Sequence, residues 1–416
     1  MNWIPRIIAS TVKRAVKTSP AVVLTGPRQS GKTTLLKMLF ADTVQFVSLE
    51  NPDVRARAQN DPVGFLSQFQ RPLIIDEIQY VPDLLSYIKT EIDKDRKPGQ
   101  WLLTGSENFV LMQGISQSLA GRAALLNLLP FEYSESIQQN PEVFSIQSLI
   151  DIITKQSNPI GSISPSMENR SVGDVLLRGF YPEIVCNPIV DRQLWCGSYL
   201  NTYVERDIRN ISNIGDLNQF ERFLRSCAIH TGQLLNISEI ARDIGISVPT
   251  AKKWLSILET GYQVFLLYPY YSNIGKRLVK SPKIYFNDTG LCSYLLGIND
   301  TQTLLNGPSF SHLFETMIVC NFYKRFLNFG ERPSLYFLRT QDGLEVDMVI
   351  ELAGKMHLFE IKSGATIVPK HGASLKRLRN ELGNKIGSAS VISCSPENFW
   401  LDDGILNYNW KDLLSV

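Results

Sequence analysis

The sequence is poor in histidine, has no paired cysteines and contains no long hydrophobic run. Its four histidines show no metal-ligand spacing, and none of its six cysteines forms a C-x-x-C pair. These two features argue against a zinc site and against a disulfide framework, so we expect a reducing compartment. No apolar stretch approaches the roughly 20 residues that span a bilayer, and the N-terminal region lacks the apolar core of a signal peptide. We therefore expect a cytoplasmic protein that does not contact the membrane.

An excess of charge of one sign is also missing. The chain carries 42 Lys and Arg residues against 40 Asp and Glu residues, a formal net charge of +2. Any surface for nucleic acid must therefore be local. A hydrophobic content of 44% and a charged content of 20% are ordinary for a soluble chain. Its 416 residues are enough for two to four domains, each with its own core.

What the sequence does contain is a complete phosphate-binding loop, G-P-R-Q-S-G-K-T, between the apolar residues 21–24 and a helix-like segment at 34–39. Its glycines let the backbone fold around a phosphate at a helix N-terminus. The lysine can reach the β- and γ-phosphates, and the last hydroxyl can bind Mg²⁺. We expect ATP and Mg²⁺ as cofactors, although a loop retained only for its shape is the alternative. The predicted nucleotide-binding residues are Gly26, Pro27, Arg28, Gln29, Ser30, Gly31, Lys32, Thr33 and Thr34.

A second half of an ATPase site is predicted downstream of this loop. The apolar residues 73–75 form a short strand that ends in Asp76 and Glu77. At the end of a parallel strand, Asp76 can hold Mg²⁺ through water, and Glu77 can polarise the attacking water. A further strand at 101–104 leads to Ser106, whose hydroxyl could sense the γ-phosphate. The alternatives are that the acidic pair only caps the next segment and that Ser106 lies in a simple turn.

The order of strand and helix signals predicts an α/β protein of several units. Residues 1–135 alternate strands and helices, as an open parallel sheet requires. Residues 136–217 are expected to form a helical lid and linker, because the composition shifts over 138–170 to Ser, Asn, Gln, Pro and Gly. The remaining units are predicted at 218–286 and at 287–416.

The third unit, 218–286, has the pattern of a winged helix-turn-helix. A capped amphipathic helix at 237–244 is followed by a turn at Gly245 and by a second helix from residue 248. Residues 236–286 carry seven Lys and Arg residues against three Asp and Glu residues, including Lys252 and Lys253 on the second helix and Lys276 and Arg277 in the wing. This excess favours contact with duplex DNA. A protein-docking module is the alternative.

The last unit, 287–416, contains a second candidate site. Asp347 lies on a predicted strand at 345–350, and Glu360 and Lys362 lie on the next strand at 357–362. We expect Asp347 and Glu360 to bind a divalent cation, with Glu315 from a helix at 311–326 as a further ligand and Lys362 positioning a water. A solvated face with cross-strand ion pairs is the alternative.

Several ordered landmarks give the chain a family resemblance. They are the loop at 26–34, the segments at 74–79, 103–106, 120–122 and 203–207, and the segment at 281–290. In these the chain resembles prokaryotic AAA-type ATPases that carry a C-terminal nuclease-like domain of uncharacterised function. The resemblance implies an AAA-like core, a winged helix and a restriction-endonuclease-like PD-(D/E)XK fold. It also implies that Arg122 approaches the γ-phosphate, in the same subunit or in a neighbour, and that Asp347, Glu360 and Lys362 are nuclease residues.

The sequence therefore predicts an Mg²⁺-dependent ATPase coupled to DNA binding, with DNA cleavage by the C-terminal domain as a further hypothesis. The alternative from another class is a nucleotide-switched regulator or scaffold with a silent C-terminal domain. The expected partners are ATP, DNA, and a second copy of the chain or another protein. A helicase or translocase motor is least favoured, because only one ATPase core is predicted.

Overall fold

The N-terminal region is built on a five-stranded parallel sheet with the strand order β2-β3-β4-β1-β5. The structure is a computed structural model that describes residues 3–40, 44–106, 118–138, 146–155, 170–203, 216–270, 281–340, 343–402 and 404–415. Strands β1, β3 and β4 are wholly buried, as the central strands of a parallel sheet are. The five strands are β1 (Ala21–Thr25), β2 (Gln45–Ser48), β3 (Leu73–Asp76), β4 (Trp101–Gly105) and β5 (Ala123–Asn127).

Helices cover both faces of this sheet, because side chains along each strand alternate between the two faces. Val23 belongs to the core on the side of α5, whereas Val22 and Leu24 pack on the other side with α1 and α2. The strand and helix alternation predicted for residues 1–135 thus corresponds to a parallel α/β sheet. The helices are α1 (Ile8–Thr18), α2 (Lys32–Phe40), α3 (Pro52–Asn60), α4 (Pro62–Ser67) and α5 (Leu84–Lys94).

A helical region follows the sheet and leads into a small antiparallel sheet with the order β6-β8-β7. Its helices are α6 (Tyr133–Ser136), α7 (Ile146–Lys155), α8 (Val172–Arg178), α9 (Pro182–Cys186), α10 (Arg192–Thr202), α11 (Leu217–Ile229), α12 (Ile237–Ile244) and α13 (Val248–Thr260). The strands are β6 (Gln233–Leu234), β7 (Val264–Leu267) and β8 (Lys283–Phe286). Asn236 and Ser247 cap α12 and α13, and Gly245 ends α12 in the left-handed conformation.

The C-terminal region contains a six-stranded mixed sheet with the order β13-β14-β12-β11-β10-β9. Strands β9, β10 and β11 are antiparallel neighbours, whereas β11, β12 and β14 run parallel. The long helix α16 (Phe310–Asn328) packs on one face, and α17 (Ala373–Leu382) packs on the other. The remaining elements are β9 (Leu335–Arg339), β10 (Glu345–Leu352), β11 (Lys355–Lys362), β12 (Ile386–Ser393), β13 (Phe399–Asp402), β14 (Ile405–Asn409) and α18 (Trp410–Leu414).

Two short helices precede α16 and pack mainly with the helical region rather than with the C-terminal sheet. They are α14 (Thr289–Leu295) and α15 (Thr301–Asn306), and both contact α8. Asp288 caps α14 and also accepts a hydrogen bond of 2.7 Å from the backbone N–H of Phe180. The predicted boundary at 286 therefore falls inside this helical layer, because the layer is completed by residues that come later in the chain.

Helix α16 is also joined to the end of the N-terminal sheet by a buried polar network. The carboxylate of Glu132 is fully buried, and it accepts hydrogen bonds from Arg325 Nε and, at 2.6 Å, from Asn328 Nδ2. Lys324 Nζ donates to the carbonyl of Phe131 at 3.1 Å. Burial raises the pKa of Glu132, and the guanidinium of Arg325 opposes that shift. The N-terminal and C-terminal regions therefore share one interface, centred on this carboxylate.

None of the helices in the described ranges is long and apolar enough to cross a membrane.

This network predicts the effect of an Arg325→Met substitution. Removing one partner leaves the buried Glu132 charge uncompensated, which should lower the free energy of unfolding by about 3–5 kcal/mol. Urea denaturation followed by tryptophan fluorescence would measure the loss. Arg332→Met serves as the control, since Arg332 is exposed and a surface change of this kind is expected to stay within about 0.5 kcal/mol. Equal losses in the two variants would contradict the assignment.

Candidate functional site

The loop between β1 and α2 has the backbone that a phosphate cradle needs. Gly26 has φ +146° and Gly31 has φ +93°, both in the region that favours glycine. A Cβ atom on Gly26 would lie 2.0 Å from the carbonyl oxygen of Leu128, so no larger residue fits there. The loop ends where α2 begins at Lys32, which places the N-terminus of that helix at the site.

Thr33 and Asp76 meet at the end of this loop. Thr33 Oγ1 donates to Asp76 Oδ1 at 2.6 Å, and Thr104 Oγ1 donates to the same oxygen at 2.6 Å. The buried ammonium of Lys32 donates to the carbonyls of Gly26 and Pro27 at 3.0 and 2.8 Å. A hydroxyl and a carboxylate in contact beside a lysine are a hard oxygen donor set that fits Mg²⁺. The predicted residues of the phosphate loop and of β3 are thus brought together.

Glu77 lies next to this group in a left-handed backbone conformation, with φ +56°. Its Oε2 accepts a hydrogen bond from Ser106 Oγ at 3.0 Å and another from Gln79 Nε2. Gln79 Nε2 also donates to Ser106 Oγ at 3.1 Å. Ser106 and Gln79 therefore hold the Glu77 carboxylate in place. Gln79 was not among the predicted site residues, because an amide two positions after a carboxylate has no distinctive sequence signal.

Two cavities open beside the phosphate loop. The first has a volume of about 370 Å³ and lies between Arg28, Gln29 and Glu77 on one side and helix α10 on the other. From α10, Trp195 and Tyr199 line this cavity, with their rings stacked 5.1 Å apart. The second cavity, of about 230 Å³, is largely apolar. Its lining includes Ser30 and Thr34 from the loop together with Ile4, Phe131 and Pro182.

Arg6, which was not among the predicted site residues, donates to the backbone of the phosphate loop. Its guanidinium donates to the carbonyl of Ser30 at 2.9 Å, to the carbonyl of Leu129 at 2.7 Å and to Glu135 Oε1 at 3.0 Å. It also lies 4.5 Å from the ring centroid of Phe131. Arg6 precedes the first strand by many residues, so only the folded chain shows that it contacts the loop.

The turn after α13 contacts both sides of the nucleotide site. The hydroxyl of Tyr262 lies 2.7 Å from Thr25 Oγ1 and donates to Asn127 Oδ1 at 2.9 Å. Gln263 Nε2 donates to the hydroxyl of Tyr199 on α10 at 3.2 Å. Thr25 immediately precedes the phosphate loop, so two adjacent residues of the turn contact the strand that leads to the loop and the helix that faces it.

Arg122 is not placed at the nucleotide site of its own chain. It lies before β5, at the opposite end of the sheet from the phosphate loop, where its carbonyl accepts a hydrogen bond from Ala21 N. Strand β1 separates the two ends by about 16 Å. The guanidinium instead forms two hydrogen bonds with Asp93. The prediction that Arg122 approaches a γ-phosphate, in the same subunit or in a neighbour, stays a prediction. Its place in the fold makes the neighbouring subunit the arrangement to test.

The second candidate site lies where β10 and β11 meet. Lys362 Nζ donates to Glu360 Oε1 at 2.6 Å and lies 3.8 Å from Asp347 Oδ2. Asp347 Oδ2 also accepts the backbone N–H of Ile361 at 2.8 Å. The three predicted side chains are therefore on one side of the sheet. Among the described residues, Oε2 of Glu360 is buried without a hydrogen-bond partner. Burial, followed by the nearby Asp347 charge, raises the pKa of Glu360 to about 7.

Glu315 approaches the same region but is bound to a lysine from β8. Lys283 Nζ lies 3.0 Å from Glu315 Oε1, and the hydroxyl of Tyr285 donates to that oxygen at 2.6 Å. Burial raises the pKa of Glu315 to about 7, although the Lys283 charge opposes the shift. Burial also disfavours the charged form of Lys283, but the carboxylates of Glu315, Asp347 and Glu345 outweigh this and raise its pKa.

The prediction that Asp347, Glu360 and Glu315 share one metal ion is not met in this arrangement. In the part of the chain that the structure describes, no group of three or more His, Cys, Asp or Glu side chains is arranged to hold a metal ion. The physical reason is that the ammonium groups of Lys283 and Lys362 lie among these carboxylates and already bind them.

The predicted DNA-contacting residues are only partly described. Lys252 and Lys253 are exposed on α13. Lys276 and Arg277 of the predicted wing lie outside the described residues.

Three family descriptions match successive parts of the chain. Residues 18–137 match an AAA domain, residues 169–302 match a domain of unknown function (DUF8612), and residues 310–413 match another domain of unknown function (DUF4143). The N-terminal region, with its phosphate loop and parallel sheet, is accordingly a P-loop domain of the AAA type.

Two mycobacterial proteins are similar over nearly the whole chain. The uncharacterized proteins Mb2031c of Mycobacterium bovis and Rv2008c of Mycobacterium tuberculosis are each 31% identical over 405 residues, which cover 96% of this chain and 82% of theirs. Among solved structures, the Walker-type ATPase PABY2304 of Pyrococcus abyssi aligns with a TM-score of 0.42 and 15% identity, over 70% of this chain and 94% of its own.

Proposed function

The chain belongs to the same family as the mycobacterial proteins Mb2031c and Rv2008c, and we propose that its N-terminal domain binds ATP with Mg²⁺ and hydrolyses it. The observation that carries this proposal is the contact between Thr33 and Asp76, 2.6 Å apart, with Lys32 and Glu77 beside it. These four side chains are the groups that P-loop enzymes use for phosphoryl transfer to water.

Each of these residues has a defined part in the proposed reaction. Lys32 exchanges its bonds to the loop carbonyls for bonds to the β- and γ-phosphates, so a bound nucleotide replaces the partners it has now. Thr33 and Asp76 would hold Mg²⁺, which when bound neutralises charge on the phosphates. Glu77, oriented by Ser106 and Gln79, accepts a proton from the attacking water.

In this proposal each of the two cavities receives a different part of the nucleotide. The cavity of about 370 Å³ contains Lys32, Thr33 and Glu77, so it receives the phosphates. The adjoining cavity of about 230 Å³ is lined by Ile4, Phe131 and other apolar groups, which suit the faces of a purine base. Gly31 and Thr34 line both cavities.

We further propose that the unit from α11 to β8 is a winged helix that binds duplex DNA. Support comes from the order of its elements, two capped helices joined by the turn at Gly245 and followed by an antiparallel strand pair. The second helix presents Lys252 and Lys253 to solvent, where they can contact phosphates. The turn that ends this helix holds Tyr262 against Thr25. The helix proposed to bind DNA is therefore connected to the strand that precedes the phosphate loop.

A second candidate function is DNA cleavage by the C-terminal domain, and two observations support it. Asp347, Glu360 and Lys362 converge on one side of the sheet, and a buried oxygen of Glu360 has no hydrogen-bond partner among the described residues. The ammonium group of Lys283 lies beside Asp347, and this favours the alternative, a C-terminal domain that binds without cutting.

The ATPase proposal predicts two different defects. Lys32→Ala should abolish both tight ATP binding and hydrolysis, because the phosphates lose their cation. Glu77→Gln should retain binding while turnover falls by about 10²–10⁴-fold, since only proton transfer is lost. Binding of a fluorescent ATP analogue and phosphate release would separate the two. Lys37→Ala, an exposed lysine on the same helix, is the control. A Glu77→Gln protein with wild-type turnover would refute the role of Glu77.

The DNA proposal predicts a change in salt dependence. The double variant Lys252→Ala/Lys253→Ala should reduce the slope of log affinity against log salt by about two units, about one for each lost phosphate contact. Fluorescence anisotropy with a labelled duplex at several salt concentrations measures the slope. The matched control is Lys94→Ala/Lys97→Ala, two exposed lysines of the ATPase domain that pair with Glu91 and Asp95. An unchanged slope in the α13 variant excludes this surface.

The cleavage candidate predicts Mg²⁺-dependent nicking of supercoiled plasmid in the presence of ATP, lost on Asp347→Asn. Glu351→Gln, on the same strand but away from the three converging side chains, should nick like the wild type. Agarose electrophoresis with and without ATP reads out the result. If the wild type does not nick the plasmid under either condition, the cleavage candidate is excluded and the alternative of a C-terminal domain without nuclease activity is supported.

A further inference from the structure

The start of the chain carries an excess of positive charge that the nucleotide site does not account for. Residues 1–41 contain seven Lys and Arg residues and no Asp or Glu, whereas the whole chain has 42 against 40. Three of the seven cations belong to the nucleotide site. Three others are Lys13, Arg14 and Lys17 on helix α1. Helix α1 therefore carries three cations that have no part in the nucleotide site.

These three cations stand together and lack acidic partners. Lys13 and Lys17 are one helical turn apart, about 6 Å along the axis, and Arg14 follows Lys13. All three are exposed, and among the described residues none forms an ion pair with a carboxylate. Arg14 donates to the carbonyl of Phe329 at 2.8 Å, a contact that leaves its charge uncompensated. Like charges three and four residues apart repel each other on a helix, so an anion bound to this face would stabilise α1.

The chemistry of the exposed face of α1 favours one class of anion. Its exposed residues are two hydroxyls and three cations, namely Ser10, Lys13, Arg14, Lys17 and Thr18, because the apolar side of the helix is buried against the sheet. Insertion into a bilayer interface needs an exposed apolar face, and the core of a protein–protein interface is depleted of charge. Cations and hydroxyls are the side chains that contact the phosphate backbone of DNA.

We infer that this exposed face of α1 is a second surface for the phosphate backbone of duplex DNA. It lies on the ATPase domain, whereas α13 belongs to the helical region that follows. The contact is with phosphates alone, so it adds affinity without sequence preference. The inference depends neither on ATP hydrolysis nor on a role for α13 in DNA binding.

The salt dependence of duplex binding by the full-length chain tests this inference, measured by fluorescence anisotropy. Lys13→Ala/Lys17→Ala should lower the slope of log affinity against log salt by about two units, about one for each lost phosphate contact. The loss should be the same for two duplexes of unrelated sequence. Arg14 is kept because it also binds α1 to the end of α16. Alanine is a better helix former than lysine, so α1 should persist in the variant.

Two further variants locate the contact. Lys94→Ala/Lys97→Ala should keep the wild-type slope, because these exposed lysines already pair with acidic side chains. Lys252→Ala/Lys253→Ala, measured alongside, separates this inference from the proposal for α13. A slope that falls only in the α13 variant overturns the α1 surface and leaves the α13 proposal standing. A slope that falls only in the α1 variant supports the α1 surface and excludes α13.

Three results would overturn the inference. The first is an unchanged slope in a Lys13→Ala/Lys17→Ala chain that is folded by circular dichroism, and the second is a wild-type chain that does not bind the duplex. The third is sedimentation with vesicles containing phosphatidylserine that is lost in the α1 variant while the DNA slope stays unchanged, which would assign the face to a membrane surface. Lys13→Gln/Lys17→Gln replaces the alanine variant if that variant does not fold, and the same loss of slope is then required of it.

Discussion

The contact between the N-terminal and C-terminal regions is built around a buried carboxylate. Glu132 lies just after the last strand of the N-terminal sheet and is fully removed from solvent. A charge in that position is tolerated only when it is paired and hydrogen-bonded, which Arg325 and Asn328 achieve from the end of α16. The requirement fixes that helix against the ATPase sheet. Since α16 also packs on the C-terminal sheet through Phe322 and Phe359, the two sheets are held by one element.

The same helix also carries a second buried ion pair, nearer its start. Arg325 serves the ATPase interface, and Glu315, ten residues earlier, binds Lys283. At 1.5 Å per residue the two positions are about 15 Å apart along the helix axis. The apolar core is continuous across the helical region, the antiparallel sheet and one face of the C-terminal sheet. These regions therefore share one apolar core, and α16 contacts both Glu132 after the N-terminal sheet and Lys283 at the second candidate site.

The sequence predicted well those features that depend on local pattern. The strand, loop and helix around Gly26, and the acidic end of β3 at Asp76, follow from apolar periodicity and from a motif whose residues are consecutive. Long-range partners were not predictable in this way. The pairing of Arg122 with Asp93, at the end of the sheet away from the phosphate loop, has no sequence signal. Lys283 gave no signal of the acidic cluster it enters, because a charged residue does not specify its partner across the fold.

The turn formed by Tyr262 and Gln263 joins the two walls of the nucleotide cleft. Their Cα atoms are about 3.8 Å apart, a distance that the peptide bond does not allow to change. Tyr262 binds the strand below the phosphate loop and Gln263 binds Tyr199 on α10, so both walls of the cleft are anchored to one short rigid span. Widening of the cleft must therefore rotate one of these two side chains or break its hydrogen bond. The two walls of the cleft are thus joined by a turn that lines neither cavity.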